Sequence, residues 1–296
     1  MLTPELIKKI KTIHIKTGRT VNTMMAGQYK SVFRGTGIEF EEVREYSPGD
    51  DVKSIDWKVS ARLGRPFVKL YREERELIVM LLVDVSASGL FGTTDNLKRD
   101  TAAEIAAILA FNAIRNNDKV GLILFTDQVE KYIPPKKGSA HVWRVIREIF
   151  AFRPSHTGTD IEQAIRYFGQ VSRKKTVSFL ISDFLSAGIV NQTRQLRIAA
   201  KKHEFVGVLL SDPGDFQLPN SGIIYVQDLE TGDYLEFDAS DERTRNGFHT
   251  LRTQEYRDRL DAIKAAEMDC IQISTGDDVA GALTRYFRYR ELRKHG

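Results

Sequence analysis

The sequence predicts an α/β fold: a doubly wound, mostly parallel sheet with helices on both faces. Two observations predict it. Short segments at 77–83, 119–125, 176–182, 204–210 and 270–273 are Leu/Phe-rich or β-branched, and stretches of helical periodicity separate them. A strand that is apolar throughout must be covered on both sides, and crossover helices on a parallel sheet supply that cover.

Taken in order, the first element is "LTPELIKKIKTI" at residues 2–13. Thr3 can cap a helix, Pro4 suits its first position, and Leu6, Ile7, Ile10 and Ile13 share one side. The remainder of 1–75 is rich in Gly, Asp and Arg and reads as strands and turns. After the first sheet strand, "RDTAAEIAAILAFNAIR" places Ala102, Ile105, Ala106, Leu109 and Ala113 on one helical face. "GLILFTDQVEKYIPP" then reads as a hairpin turning at Asp127-Gln128, which adds an antiparallel edge. Further helical patterns fall at 139–151, 160–171, 190–202, 250–268 and 277–290. Within 211–240, "IIYVQDLETGDYLEF" reads as a hairpin turning at Thr231-Gly232-Asp233. The expected organisation is therefore an N-terminal helix and strand segment, 1–75, docked on a sheet domain, 76–296, that carries a hairpin insertion near 211–240.

Composition narrows the class. Hydrophobic residues make up 42% and charged residues 28%, as in ordinary soluble domains. A net charge of +4, with bases dispersed among acids, argues against nucleic acid as a partner. No apolar run reaches membrane-spanning length and no signal-peptide core is present, so a cytoplasmic location is expected. A single cysteine, Cys270, permits no disulfide within the chain and is expected to act as a small buried hydrophobe.

The chemistry gathers where strands end. In "ELIVMLLVDVSASGLFG" the apolar run stops at Asp84, followed by Ser86 and Ser88. Ligands of open α/β sheets bind at the C-terminal ends of the strands. Asp183 in "FLISDF" ends another strand on the same rim, and Thr159 in "HTGTD" lies in a loop before a helix that could face it. All five are oxygen donors, which suits a hard cation, Mg²⁺ or Mn²⁺, and not zinc.

This set resembles the metal-ion-dependent adhesion site of von Willebrand factor A-type domains. Asp84, Ser86 and Ser88 match its D-x-S-x-S, Thr159 its G-T loop and Asp183 its final aspartate. The resemblance implies that the hydroxyls bind the metal directly, that the aspartates often act through water, and that a partner protein's carboxylate fills the last position. A site of mainly neutral hydroxyls leaves a divalent cation under-neutralised and so attractive to an external anion. Two departures are visible: Phe184 follows Asp183 where many members have glycine, and Gly89-Leu90-Phe91-Gly92 replaces a methionine region.

Upstream, "RGTGIEFEEVREYSPGDDVKSIDWKVSARLGRPFVKLYREERE" resembles the hallmark segment of domain of unknown function 58. Arg44, Tyr46, Gly49, Asp50, Asp56, Trp57, Ser60, Ala61 and Arg62 carry that likeness. Such proteins are commonly paired with MoxR-type AAA+ ATPases, and many of them have membrane helices that this chain lacks. From the residues themselves, Asp50, Asp51 and Asp56 are expected to form turns and ion pairs with Arg44 and Arg62 that dock the segment, and Trp57 to serve packing.

The expectation is a non-enzymatic interaction module that holds Mg²⁺ and receives an Asp or Glu from a protein partner, a MoxR-type ATPase. The alternative is a Mg²⁺-dependent phosphatase-like hydrolase with Asp84 as nucleophile. It lacks a second acid at position 86, and no phosphate-binding glycine loop or nucleophile elbow accompanies it.

Overall fold

The computed structural model describes residues 39–72, 77–185 and 193–295. The helix expected at 2–13 lies outside them. Among the described residues, those up to Leu77 form one compact unit and those from Ile78 onward form another.

In the first unit, β1 (Glu39–Glu45) pairs antiparallel with β2 (Phe67–Arg72), with a register shift between Phe40 and Glu42. A seven-residue helix, α1 (Trp57–Leu63), lies between them, where strands and turns were expected. Its cause is local. The Asp56 carboxylate accepts from the Lys58 and Val59 amides at the helix start, and Gly64 closes the end in the left-handed conformation, φ 68°. The acids divide their work. Asp50 is held by Arg44 in a two-point pair at 2.6 and 2.8 Å, and Asp51 caps the turn at Val52–Ser54. Asp56 pairs with Lys69 at 3.2 Å, so Arg62 is not its partner. Trp57, expected to pack, is 68% exposed, because the buried residue of α1 is Ser60.

The second unit is built on a six-stranded sheet. Its strands are β3 (Ile78–Asp84), β4 (Lys119–Phe125), β5 (Val129–Lys136), β6 (Val177–Ser182), β7 (Glu204–Ser211) and β10 (Asp269–Ser274), in the order β10-β7-β6-β3-β4-β5. All neighbours are parallel except β5, the antiparallel edge made by the hairpin after β4. The chain enters at β3, moves to one side through β4, and returns to the other side through β6. The connections that leave the neighbouring strands β3 and β6 therefore run to opposite sides of the sheet, which opens a crevice at their C-terminal ends.

Helices cover both faces. On one side lies α2 (Lys98–Arg115), flanked by α3 (Ser139–Ala151) and α7 (Val279–His295). Helix α2 is buried over most of its circumference, as its Ala-rich sequence allows: Ala102, Ala106, Leu109 and Ala113 all have 2% exposure or less. The other side holds α4 (Ile161–Val171), α5 (Thr193–Lys202) and α6 (Glu242–Ala265). Ile161, Ala164, Ile165 and Phe168 of α4 recur at helical spacing and pack with Met80, Leu82, Leu196 and Ile263. Cys270 packs partly buried against this cluster, and burial pushes its thiol up to about 12.

The start of one helix differs from expectation. Helix α6 begins at Glu242, well before 250, because the Asp241 carboxylate accepts from the Arg243 amide and starts the helix in a polar stretch without apolar periodicity. Strands β8 (Ile223–Gln227) and β9 (Tyr234–Asp238) form a two-stranded sheet of their own, separate from the main one.

Candidate metal centre at the strand ends

Asp84 is the last residue of β3, and Asp183 directly follows β6. The two strands pair through Val83 and Ile181, so both carboxylates reach the same stretch of rim. Each is turned by its own loop. The Ser86 amide donates to Asp84 Oδ1 at 2.9 Å, and the Leu185 amide donates to Asp183 Oδ1 at 3.2 Å. The Ser182 hydroxyl donates to Asp84 Oδ2 at 2.6 Å, which ties the end of β6 to the end of β3.

The hydroxyls come from two loops joined to this rim. The Ser86 and Ser88 hydroxyls lie 3.0 Å apart. The Ala87 amide donates to the Thr157 carbonyl at 2.9 Å, and the Asp160 amide to the Thr126 carbonyl beyond β4 at 3.0 Å. These two bonds carry the Thr159 loop to the D-x-S-x-S loop. Asp84, Ser88 and Asp183 line one small cavity together with Lys98, Arg99 and Ser182. Thr159 stands farther along, and its hydroxyl donates to the Glu230 carboxylate at 2.7 Å. His156 points away, to Asp127 at 3.3 Å.

Four charged residues at this rim, Lys98, Asp215, Arg259 and Glu230, escaped the sequence reading. Lys98, the first residue of α2, is 2% exposed; its ammonium lies 3.1 Å from Asp183 and 2.9 Å from Asp215, and 5.5 Å from the centre of the Phe91 ring. Arg259 of α6 is buried and donates to the Asp183 carbonyl at 2.7 Å. Glu230 stands in the turn between β8 and β9. A lysine opening a helix, an arginine in a polar helix and a glutamate in a turn are ordinarily solvated, so no local signal marked them.

Phe184 explains the glycine usual at its position. Its φ is 55°, in the left-handed region that favours glycine, yet its side chain is fully buried. The Phe184 amide is satisfied by the Ser182 hydroxyl at 2.9 Å.

Burial raises two of the carboxyls at this rim. Burial, and then the neighbouring Asp183 charge, hold the Asp84 carboxyl well above the usual carboxylate range. Burial likewise raises the Glu230 carboxyl, with the Asp183 charge adding to it. Among the described residues no basic side chain pairs with Asp84, whereas Asp183 and Asp215 share Lys98. Around Asp183 stand the acids Asp84, Asp215 and Glu230 and the cations Lys98, Arg99 and Arg259. No group of three or more His, Cys, Asp or Glu side chains suited to a metal occurs among the described residues, so hydroxyl oxygens have to complete any shell. Ser86, Ser88 and Thr159 are such donors, and an oxygen set of this kind fits Mg²⁺.

The chain is similar to several known proteins. An uncharacterized protein of Mycobacterium tuberculosis, Rv1480, is 30% identical over 289 residues, covering 97% of this chain and 90% of its own. The uncharacterized protein YeaD of Bacillus subtilis is 25% identical over 107 residues, 36% of this chain and 25% of its own. Among solved structures, BatB from Bacteroides thetaiotaomicron is similar with a TM-score of 0.49 and 16% identity over 73% of this chain and 99% of that one. The SpRpn10 VWA domain is similar at 0.41 and 10%, over 71% and 95%. No helix among the described residues is long and apolar enough to cross a membrane. Residues 42–258 match the family described as "Protein of unknown function DUF58", and the chain belongs to that family.

Proposed function

We propose that this protein is a non-enzymatic interaction module in which a Mg²⁺ ion at the sheet rim receives an Asp or Glu from a partner protein. The observation that carries this reading is Asp84: a buried carboxylate that no side-chain cation among the described residues pairs, beside the Ser86 and Ser88 hydroxyls. Ser86, Ser88 and Thr159 would hold the ion, with Asp84 and Asp183 supplying negative charge around it. Lys98 already occupies one oxygen of Asp183, which suits a role for that aspartate through water and not by direct contact. When bound, the metal supplies an under-neutralised positive centre that an external carboxylate can reach.

The partner in this reading is a MoxR-type AAA+ ATPase, in a cytoplasmic setting, with this protein as its adaptor. That choice rests on the likeness of the 34–76 segment to the family hallmark. The test is co-purification of the ATPase with this chain in Mg²⁺ and in EDTA, for the wild type and Asp84→Ala. The expected result is a complex lost in EDTA and in the variant. A complex indifferent to both overturns the metal-bridged reading. Turnover of an aryl phosphate that needs Mg²⁺ and Asp84 would replace it with hydrolysis.

A further inference from the structure

The open position at the rim already has a candidate occupant inside the chain. The β8–β9 hairpin ends in a turn, 228–233, whose Asp228 carboxylate accepts from the Glu230 amide at 2.8 Å and the Thr231 amide at 3.1 Å. That arrangement fixes the turn and presents Glu230 at its tip. Two hydrogen bonds then tie the tip to the rim, and both involve Glu230: Thr159 donates to its carboxylate at 2.7 Å and Thr157 to its carbonyl at 3.3 Å. A half-buried carboxylate thus meets the hydroxyl of a proposed metal ligand.

We propose that Glu230 is an internal ligand for the rim metal: the hairpin delivers the chain's own carboxylate to the position that a partner's Asp or Glu would take, and a partner must displace it. This inference rests on the metal-centred reading above.

The hairpin suits such a part. It is a two-stranded sheet outside the main one, and Ile223, Tyr225, Tyr234 and Leu235 on it are each about 60–70% exposed, so little apolar burial holds it down. Its base is fixed independently. Arg245 of α6 donates to the Ala239 and Ser240 carbonyls at 2.8 Å, and Phe237 meets Phe248 edge to face. The tip can therefore leave the rim while the base stays in place. A tip seated nine times in ten would weaken a partner's apparent affinity by about tenfold.

The test is calorimetric titration of Mg²⁺ into the full chain, wild type and Glu230→Gln, each with and without acetate as a small external carboxylate. The glutamine keeps the hydrogen bond from Thr159 and removes the charge. Glu230→Gln is expected to loosen Mg²⁺ by about ten- to a hundredfold, the range for losing a partner around a bound metal. Acetate is expected to restore part of that loss in the variant and to leave the wild type unchanged. Amide exchange at 228–233 should slow on adding Mg²⁺ in the wild type only. Equal Mg²⁺ affinity in both proteins, or acetate tightening both alike, overturns the internal ligand and leaves the metal site standing. No Mg²⁺ binding by the wild type overturns both.

Discussion

The Lys98 ammonium lies 2.9 Å from the Asp215 carboxylate, and the same group reaches Asp183 at 3.1 Å. A buried cation shared between two strand-end loops fixes their spacing. Removing it leaves both carboxylates without the cation that they share. Breaking a buried pair by deleting one partner costs about 3–5 kcal/mol. Lys98→Met is expected to lose that much stability in chemical denaturation, and Lys98→Met with Asp215→Asn to recover part of it.

Asp84 should reverse its effect with metal. In EDTA at pH 8 it is a buried carboxylate whose proton affinity burial has raised, so ionisation works against the fold. Asp84→Asn should therefore melt above the wild type in EDTA and lose the response to Mg²⁺. In the wild type, Mg²⁺ at a hundred times its dissociation constant should add about 2.7 kcal/mol. Melting curves of both proteins with and without Mg²⁺ check this. A wild type that does not respond to Mg²⁺ contradicts it.

Phe184 sets backbone strain against packing. Its left-handed backbone costs about 1–2 kcal/mol for a residue with a Cβ, which glycine would relieve. Its side chain is wholly buried, and deleting a buried phenylalanine costs about 3–5 kcal/mol. Packing is the larger effect. Phe184→Gly is expected to destabilise by a few kcal/mol, measured by denaturant midpoint, although it restores the residue usual in the motif.

His203 gives a pH dependence remote from the rim. Its Nδ1 accepts from the Thr176 amide at 3.3 Å, its ring packs 4.7 Å from Phe168, and burial pushes its pKa down to about 4. Between the unfolded value near 6.5 and about 4, the unfolded chain takes up a proton that the native state refuses. Stability should fall as pH drops through that window. The urea midpoint of the wild type should decline more from pH 7 to pH 5 than that of His203→Gln.

How far the sequence reaches can be judged residue by residue. The strand runs, the edge hairpin at 129–136 and the pattern of α4 were legible because burial imposes periodicity on local sequence. Asp84 and Asp183 were legible because a polar residue ending an apolar run marks a strand end. Helix α1 was not, since its seven residues bury only Ser60 and owe their form to an N-cap and a closing glycine. Trp57 looked like a packing residue because size and apolarity are properties of the side chain, whereas exposure is a property of its surroundings.

The sequence by itself determined that strands and helices alternate and that oxygen donors gather where strands end, because hydrophobic period and strand termini are written in neighbouring residues. Only the tertiary structure decided which charges meet. Lys98 joins Asp183 across 85 positions, and Glu230 joins Thr159 across 71. Such pairs are fixed by the path of the chain through space and by the cost of leaving a buried charge unmatched, and neither leaves a periodic trace in the order of the amino acids.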